Sequence, residues 1–210
     1  MNRERFISFL ESVSFWEPEW LEELRSSCIE RGVPVVRRDA AQLLRFLTVQ
    51  TGAENILEVG TAEGYSSLLM WDASGGKVHI DTIENSERRL EKARVNLARA
   101  EGGIRLLEGD ALEILPGLEG PYDLVFMDAA KGQYLNFLPE VLRLLKSGGT
   151  LVTDNTLQEG RILESRFAVE RRDRTIHSRM RGYIRKLMDT PELVSTLLAC
   201  GDGMLLSVKR

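Results

Sequence analysis

The chain has 210 residues, 43% hydrophobic and 29% charged, with a formal net charge of −4. Its length suits one domain with an extension, its composition is ordinary for a soluble globular protein, and its net charge alone favours no nucleic-acid partner. The longest apolar runs, such as 124–127, are far too short to cross a bilayer, so no membrane partner is expected.

The N-terminus indicates a cytoplasmic protein, and the two cysteines indicate neither a disulfide framework nor a zinc site. The first apolar run is very short and has charges at both ends, so it lacks the apolar segment of a signal peptide. Cys28 and Cys200 lie far apart and form no CxxC motif, which argues against a disulfide framework and a zinc site. We expect two structural thiols.

Residues 1–54 are predicted to form a helical extension. Amphipathic stretches at 6–13 and 19–30 are typical of helices, and Asp39 is predicted to cap a third helix at 40–51. Trp16 and Trp20 are interpreted as core or interface anchors. Residues 55–210 would then form one globular unit.

Strands and helices alternate through that unit. The predicted strands lie at 56–59, 77–84, 104–107, 122–129, a fifth segment ending at Asp154 and Asn155, and the hairpin pair 194–199 and 204–209. The predicted helices lie at 66–72, from Ser86 to Gly102, at 112–115, at 131–145 with an interruption near Pro139, and at 175–188. This pattern predicts an α/β fold with a doubly wound, seven-stranded, mostly parallel sheet and one antiparallel strand.

A glycine turn joins the first strand of this unit to its helix. The segment 55–66, N-I-L-E-V-G-T-A-E-G-Y-S, is a strand followed by Gly60 and Gly64, and this arrangement is typical of nucleotide binding. The G-x-x-x-G spacing differs from the dinucleotide motif G-x-G-x-x-G, which favours another ligand.

Acidic residues occur at the ends of the first five strands. They are Glu58, Glu84, Asp110, Asp128 and Asp154. One such acid would more simply cap the next helix, but five together favour a ligand site at the carboxyl edge of the sheet. Glu84 lies at the spacing from Gly60 that suits ribose hydroxyls, and Asp110 could accept a hydrogen bond from an exocyclic amine.

A second polar cluster is predicted where two neighbouring strands end. Asp128, Asp154 and Asn155 would place three oxygen ligands around one point, and this donor set suits Mg²⁺ or another hard divalent cation. The alternative, an Asp-Asn turn, is weakened by Asp128. His79 and His177 show no ligand spacing and are interpreted as structural or surface residues.

Together these motifs resemble one enzyme family. The segments E-V-G-T-A-E-G-Y-S, I-E, G-D-A, F-M-D-A-A-K and T-D-N, in this order, are similar to the metal-dependent class I O-methyltransferases of the catechol and caffeoyl-CoA type. The resemblance runs from about residue 34 to residue 210. It implies a Rossmann-like methyltransferase fold, S-adenosylmethionine as the methyl donor and a homodimer.

The resemblance also implies roles for single residues. Cofactor contacts are expected from Val36, where relatives often carry methionine, and from Glu58, Gly60, Ser66, Glu84, Asp110, Ala111 and Asp128. The metal ligands would be Asp128, Asp154 and Asn155. Lys131 resembles the general base, with a solvated lysine as the alternative, and would act with Asp128 in catalysis.

The C-terminal part of the chain is similar to a bacterial branch that methylates 5-hydroxyuridine at the wobble position of tRNA. Segment 161–186 has nine basic and three acidic residues, a net charge of +6, and includes Arg171, Arg172 and Arg174. Such a surface could bind phosphates, although a solvated helix or a dimer surface would look the same.

Three hypotheses therefore remain open. The leading one is a tRNA 5-hydroxyuridine O-methyltransferase, which would form 5-methoxyuridine. The second is an O-methyltransferase of small catechol-like phenols, because both acceptors present two oxygens on adjacent carbons. The third is a non-catalytic cofactor-binding protein.

Overall fold

The computed structural model describes residues 3–13 and 17–210. Its helices are α1 (Arg3–Ser12), α2 (Glu19–Glu30), α3 (Arg38–Gln50), α4 (Tyr65–Ala73), α5 (Glu87–Leu97), α6 (Ala111–Ile114), α7 (Tyr134–Leu144) and α8 (Arg174–Met188). Its strands are β1 (Asn55–Val59), β2 (His79–Glu84), β3 (Ile104–Glu108), β4 (Tyr122–Met127), β5 (Leu145–Thr153), β6 (Leu193–Leu198) and β7 (Met204–Lys209). Trp16 lies outside the described residues, so the interpretation of that side chain stays a prediction.

The strands form one sheet in the order β3-β2-β1-β4-β5-β7-β6. Strand β7 is antiparallel to both of its neighbours, and the other pairs are parallel. β4 is buried along its whole length, as expected for the centre of a sheet that is covered on both faces. The predicted Rossmann-like sheet with one antiparallel strand is confirmed.

The register of the three central strands aligns their carboxyl ends. Val59 pairs with Met127, and Met127 pairs with Thr153. The Asp128 amide donates to the Val59 carbonyl at 3.0 Å, and the Asp154 amide donates to the Met127 carbonyl at 3.0 Å. The chain runs from β1 to β2 and β3 on one side of β1 and then crosses to β4 on the other side. Ligands bind at such a switch point in open α/β sheets.

Two apolar clusters cover the two faces of the sheet. On one face, Leu44 of α3 and Leu68 of α4 share a core with Ile56 of β1. On the other face, Phe137 of α7 and Tyr183 of α8 pack in a second core. Because α3 shares a core with β1, the N-terminal helices pack against one face of the sheet. They can therefore border the space at the carboxyl ends of its strands.

Two local predictions were wrong. Asp39 does not cap α3, because Arg37 is the N-cap residue and Asp39 lies in the first turn, where its carboxylate accepts a 2.9 Å bond from the Gly201 amide. Pro139 does not interrupt α7. Pro139 and Leu135, whose carbonyl the missing N–H would have bonded, are both exposed, so water can satisfy that carbonyl.

The surface of the described residues bears on three other expectations. None of the helices among these residues is long and apolar enough to span a membrane. Phe9, Phe46 and Val49 of the N-terminal helices are exposed. Exposed apolar side chains are common at subunit interfaces, but their exposure does not test the homodimer, which stays a prediction. The two histidines match their interpretation, because His79 is exposed and His177 is buried in α8.

Asp123, in β4, links β4 to the start of β1 through hydrogen bonds. Its Oδ2 accepts 2.8 Å hydrogen bonds from the amides of Glu54 and Asn55, and its Oδ1 pairs with Lys146. Burial raises the pKa of Asp123, but the bonds from Lys146 and the two amides outweigh it and leave the pKa below its usual value. The ionised carboxylate is therefore stabilised by folding.

We predict that Asp123→Asn lowers the free energy of unfolding at pH 7 by about 1 to 3 kcal/mol. The folded-state pKa of Asp123 is depressed, so its contribution is complete above about pH 4 and is lost as the pH falls through the folded-state value. Urea unfolding between pH 2 and 7 should show a shallower acid loss in the variant than in the wild type. Glu119→Gln, at an exposed acid, is the control; equal pH profiles for Asp123→Asn and wild type would contradict the prediction.

Candidate functional site

The glycine turn after β1 is held against β2 by backbone and side-chain bonds. The Gly60 and Thr61 amides donate to the Ile83 carbonyl at 3.0 and 3.1 Å. The Ala62 amide donates to Glu84 Oε2 at 2.8 Å. Gly64 has a φ of +93° and is the N-cap residue of α4, so the turn delivers the chain directly into that helix.

Gly60 is required by the close approach of two strands. Its φ is +109°, and a Cβ atom at this position would lie 2.2 Å from the Asp128 carbonyl oxygen. No side chain can occupy that space without moving β1 away from the residue that follows β4. The absence of a side chain therefore keeps the turn and Asp128 next to each other.

A cavity of about 610 Å³ opens over this turn. Seven of the eight residues expected to contact the cofactor line it: Val36, Gly60, Ser66, Glu84, Asp110, Ala111 and Asp128. Its volume lies within the range of small-molecule sites. Residues from the N-terminal helices, the turn and the ends of β2, β3 and β4 thus share one concave space.

Glu58, the eighth residue, does not line this cavity. It is fully buried behind the turn, where Ser67 Oγ and Thr82 Oγ1 donate to Oε2, and Oε1 has no hydrogen-bond partner among the described residues. Burial raises its pKa to about 7, and the hydrogen bonds from Ser67 and Thr82 oppose that rise. In this structure Glu58 supports the turn, and a direct contact with a cofactor stays a prediction.

Glu84 and Asp110 both use part of their carboxylates on nearby amides. Glu84 Oε1 accepts from the Asn85 and Ser86 amides at 3.0 and 2.9 Å, and Arg89 lies 3.8 Å from Oε2. Asp110 is the N-cap residue of α6, and its Oδ1 accepts a 2.8 Å bond from the Leu112 amide. The capping role considered for these acids is therefore present in Asp110, which also faces the cavity.

The sequence patterns did not identify a polar contact between α2 and the glycine turn. Arg31 pairs with Glu63, and the Cys28 thiol donates to Glu63 Oε2 at 3.6 Å. Burial, followed by the charge of Glu63, raises the pKa of Cys28 to about 11, so the thiol stays protonated. Cys28 and Glu63 line the cavity, and the contact closes its N-terminal wall. The position of Glu63 between Gly60 and Gly64 is the local sequence signal that could have pointed to this contact.

Asp128 and Asp154 are neighbouring acids at the ends of β4 and β5; Asp154 is buried, and Asp128 is half-buried at the edge of the cavity. Burial raises the pKa of Asp128. Burial and the neighbouring charge of Asp128 raise the pKa of Asp154 to about 7. Two adjacent carboxylates removed from water are costly when both are ionised, and a cation between them removes that cost.

Asn155 completes this cluster. Its side-chain amide donates to Asp128 Oδ1 at 2.8 Å, and its backbone has a φ of +60°. The same amide presents an oxygen when it is rotated, which gives two carboxylates and one amide oxygen. The described residues contain no group of three or more His, Cys, Asp and Glu side chains suited to a metal. The hard oxygen donors that are present fit Mg²⁺ or a similar cation, which keeps several waters in such sites.

A smaller cavity of about 330 Å³ adjoins the cluster. Asn155 and Lys131 line both cavities, so they lie where the two meet. Lys131 Nζ is 3.9 Å from Asp202 Oδ2. The sequence patterns did not identify Asp202, which comes from the β6–β7 hairpin and reaches the site because β7 is the neighbour of β5.

Much of the basic segment contacts the protein itself. Arg174 donates to the Val169 carbonyl, and Arg181 donates to the Ile162 carbonyl, both at 3.0 Å. Arg172 lies 3.1 Å from Glu170. Arg171 is exposed. The loop that precedes these arginines contributes Gln158 and Glu159 to the smaller cavity. The three predicted nucleic-acid residues, Arg171, Arg172 and Arg174, line neither cavity.

The fold and the site together define a Rossmann-like enzyme with a nucleotide-type cavity beside a cluster of oxygen donors. A family model described as O-methyltransferase matches residues 11–210. The chain belongs to the O-methyltransferase family, so the predicted class of enzyme is confirmed.

Individual relatives agree with this membership. A catechol O-methyltransferase from Niastella koreensis is 31% identical over 78% of this chain and 79% of that protein. A candidate caffeoyl-CoA O-methyltransferase structure from Staphylococcus aureus is 32% identical, covers 100% of this chain and 99% of its own, and has a TM-score of 0.89. TomG from Streptomyces achromogenes, solved with S-adenosylmethionine, is 27% identical, covers 100% and 99%, and has a TM-score of 0.84.

We predict that Gly60→Ala destabilises the protein far more than Gly148→Ala. Both glycines have positive φ, +109° and +79°, but a Cβ at Gly148 would have no atom of the described residues within 4 Å. Gly148→Ala should cost about 1 to 2 kcal/mol from backbone strain alone. Gly60→Ala should cost about 3 kcal/mol or more and weaken S-adenosylmethionine binding, because β1 and Asp128 must separate. Urea unfolding and calorimetry measure both effects; equal losses in the two variants would contradict the prediction.

Proposed function

We propose that the protein transfers a methyl group from S-adenosylmethionine to one hydroxyl of a small aromatic 1,2-diol, with Mg²⁺ or another hard divalent cation as cofactor. The observation that carries the proposal is the position of Asp128, Asp154 and Asn155 between two cavities. Asp128 and Asn155 line the larger cavity, and Asn155 also lines the smaller one. The two reactants can therefore meet at this cluster.

The larger cavity is assigned to S-adenosylmethionine, which supplies an electrophilic methyl group on a positively charged sulfur. Gly60 and Ser66 lie at the end of the cavity nearest the glycine turn, where an amino-acid group can approach the backbone. Glu84 suits the ribose hydroxyls, and Asp110 and Ala111 suit the adenine. The negative charge of Asp128 favours a sulfonium in the same space.

The smaller cavity is assigned to the acceptor. Its 330 Å³ is at the lower end of the range for small-molecule sites and suits a single aromatic ring with short substituents. Asp128, Asp154 and Asn155 would hold the divalent cation at its inner end. Such a cation, when bound, lowers the pKa of an adjacent hydroxyl and keeps two neighbouring oxygens in one orientation.

Lys131 is assigned as the proton acceptor. It lines both cavities and extends toward Asp202, so its Nζ lies at the boundary where the reacting hydroxyl must be deprotonated. Methyl transfer is an in-line displacement, so the residues gain rate mainly by aligning the hydroxyl oxygen with the methyl group. Asp128 borders the cofactor cavity and would hold the cation, so it is assigned to orient both reactants.

We predict that removal of divalent ions abolishes methyl transfer to 1,2-dihydroxybenzene and that added Mg²⁺ restores it. Asp154→Ala should lower kcat/KM by about 100-fold or more, because the oxygen donor is lost and the remaining acid is left beside a weakened site. Asp189→Ala, at an exposed acid after α8, is the matched control. Full activity in chelator, or in Asp154→Ala, would contradict the metal-dependent mechanism.

A tRNA containing 5-hydroxyuridine is the second candidate acceptor. The observation in its favour is the exposed Arg171 next to Arg172 on the segment that follows the site. The self-contacts of Arg172, Arg174 and Arg181 favour a structural role for much of this segment and support the smaller acceptor. The relatives named for catechol and caffeoyl-CoA substrates also favour a small phenol.

The tRNA candidate predicts that Arg171→Gln with Arg172→Gln weakens tRNA binding and reduces the slope of log K against log salt by about 2. Our leading proposal predicts no methyl transfer to this tRNA and equal activity toward 1,2-dihydroxybenzene in the double variant. Transfer to tRNA measured by nucleoside mass spectrometry, together with the reduced slope, would establish the second candidate instead. Arg88→Gln, at an exposed arginine of α5, is the control for loss of positive charge.

A further inference from the structure

Among the residues that the structure describes, the charged side chains around the smaller cavity are paired with one exception. Arg161 pairs with Glu159 at 3.4 Å and with Asp173 at 3.2 Å. Lys131 lies 3.9 Å from Asp202. Arg37 is exposed and also lines the cavity, and within residues 3–13 and 17–210 its side chain has no hydrogen bond or ion pair. One guanidinium is thus available to an anion in this cavity.

A second polar group in the same cavity also lacks a partner among the described residues. Gln158 lines the cavity, and its Nε2 is buried without a hydrogen bond among the described residues. A buried amide donor that remains unpaired is costly, so this Nε2 has unused capacity to donate to a bound group. The φ of Gln158 is +51°, in the left-handed region, which commonly holds residues at binding sites.

The geometry points to a carboxylate on the acceptor, and we propose that the substrate is an aromatic 1,2-diol with a carboxylate that Arg37 and Gln158 bind. This inference rests on the proposed function, because it assigns the diol end of the substrate to Asn155 and Lys131. Arg37 is the N-cap residue of α3, whereas Gln158 belongs to the loop after β5. The carboxylate would therefore bridge the N-terminal helices and the loop that carries Asn155.

The chemistry of these two groups favours a carboxylate over a neutral or cationic substituent. A guanidinium presents two parallel N–H donors, which match the two oxygens of a carboxylate. The Gln158 amide can rotate to present its N–H to the same oxygens. An ammonium substituent would instead meet the positive charge of Arg37, whereas the acids of this cavity, Glu159, Asp173 and Asp202, already pair with Arg161 and Lys131. Arg37 and Gln158 are specificity-determining residues in this account, with no part in proton or methyl transfer.

The test compares two substrates that differ only in the proposed charge. They are 3,4-dihydroxyphenylacetate and its neutral amide, in which a methylene separates the substituent from the ring and keeps the hydroxyls alike. The wild type with Mg²⁺ should prefer the acid by about 10- to 100-fold in kcat/KM, mainly through KM, because a charge-assisted bond is lost in the amide.

Arg37→Gln should bring the acid-to-amide ratio close to 1, and Arg37→Lys should retain part of the preference, since it keeps the charge without the planar fork. Gln158→Leu should lower the ratio several-fold, because the amide donor is lost. Arg88→Gln, the matched arginine of α5, should keep the wild-type ratio. A wild-type ratio near 1, or an unchanged ratio in Arg37→Gln, overturns this inference while leaving the proposed function intact. Failure of the wild type to methylate either diol would instead refute the proposed function.

Discussion

The pairing of β1, β4 and β5 places Gly60, Asp128 and Asp154 side by side at one edge of the sheet. Each residue follows the last paired position of its strand, and backbone bonds from Asp128 to Val59 and from Asp154 to Met127 hold the row together. The missing side chain of Gly60 permits this contact. A shift in register by one residue would turn the acids to the other face of the sheet, so cofactor cavity and metal cluster depend on the same pairing.

The site concentrates buried negative charge, and this explains which ligands suit it. Burial raises the pKa values of Glu58, Asp128 and Asp154, because the apolar surroundings disfavour three carboxylates in one region. A divalent cation and the positively charged sulfur of S-adenosylmethionine would each stabilise the ionised forms. The buried acids therefore favour binding of the same two positive groups that the proposed reaction requires.

The sequence predicted the features that have strong local signals and missed those that depend on distant contacts. The glycine turn and the strand-end acids are local, and the structure brings Asp128, Asp154 and Asn155 together as expected. The cap at Asp39 was wrong because its partner, the Gly201 amide, lies 162 residues away. Asp202 was missed because its position depends on β7 lying beside β5, and no local pattern reveals the order of strands.

The most direct test of the account is the requirement for two adjacent hydroxyls. Methyl transfer from S-adenosylmethionine, in the presence of Mg²⁺, should be measured with 1,2-dihydroxybenzene and with its isomer 1,3-dihydroxybenzene at equal concentrations. Because only the 1,2-isomer can present both oxygens to one cation, we predict that its kcat/KM is higher by about 100-fold or more. Equal rates with the two isomers would contradict the assignment of Asp128, Asp154 and Asn155 to a cation that binds both oxygens.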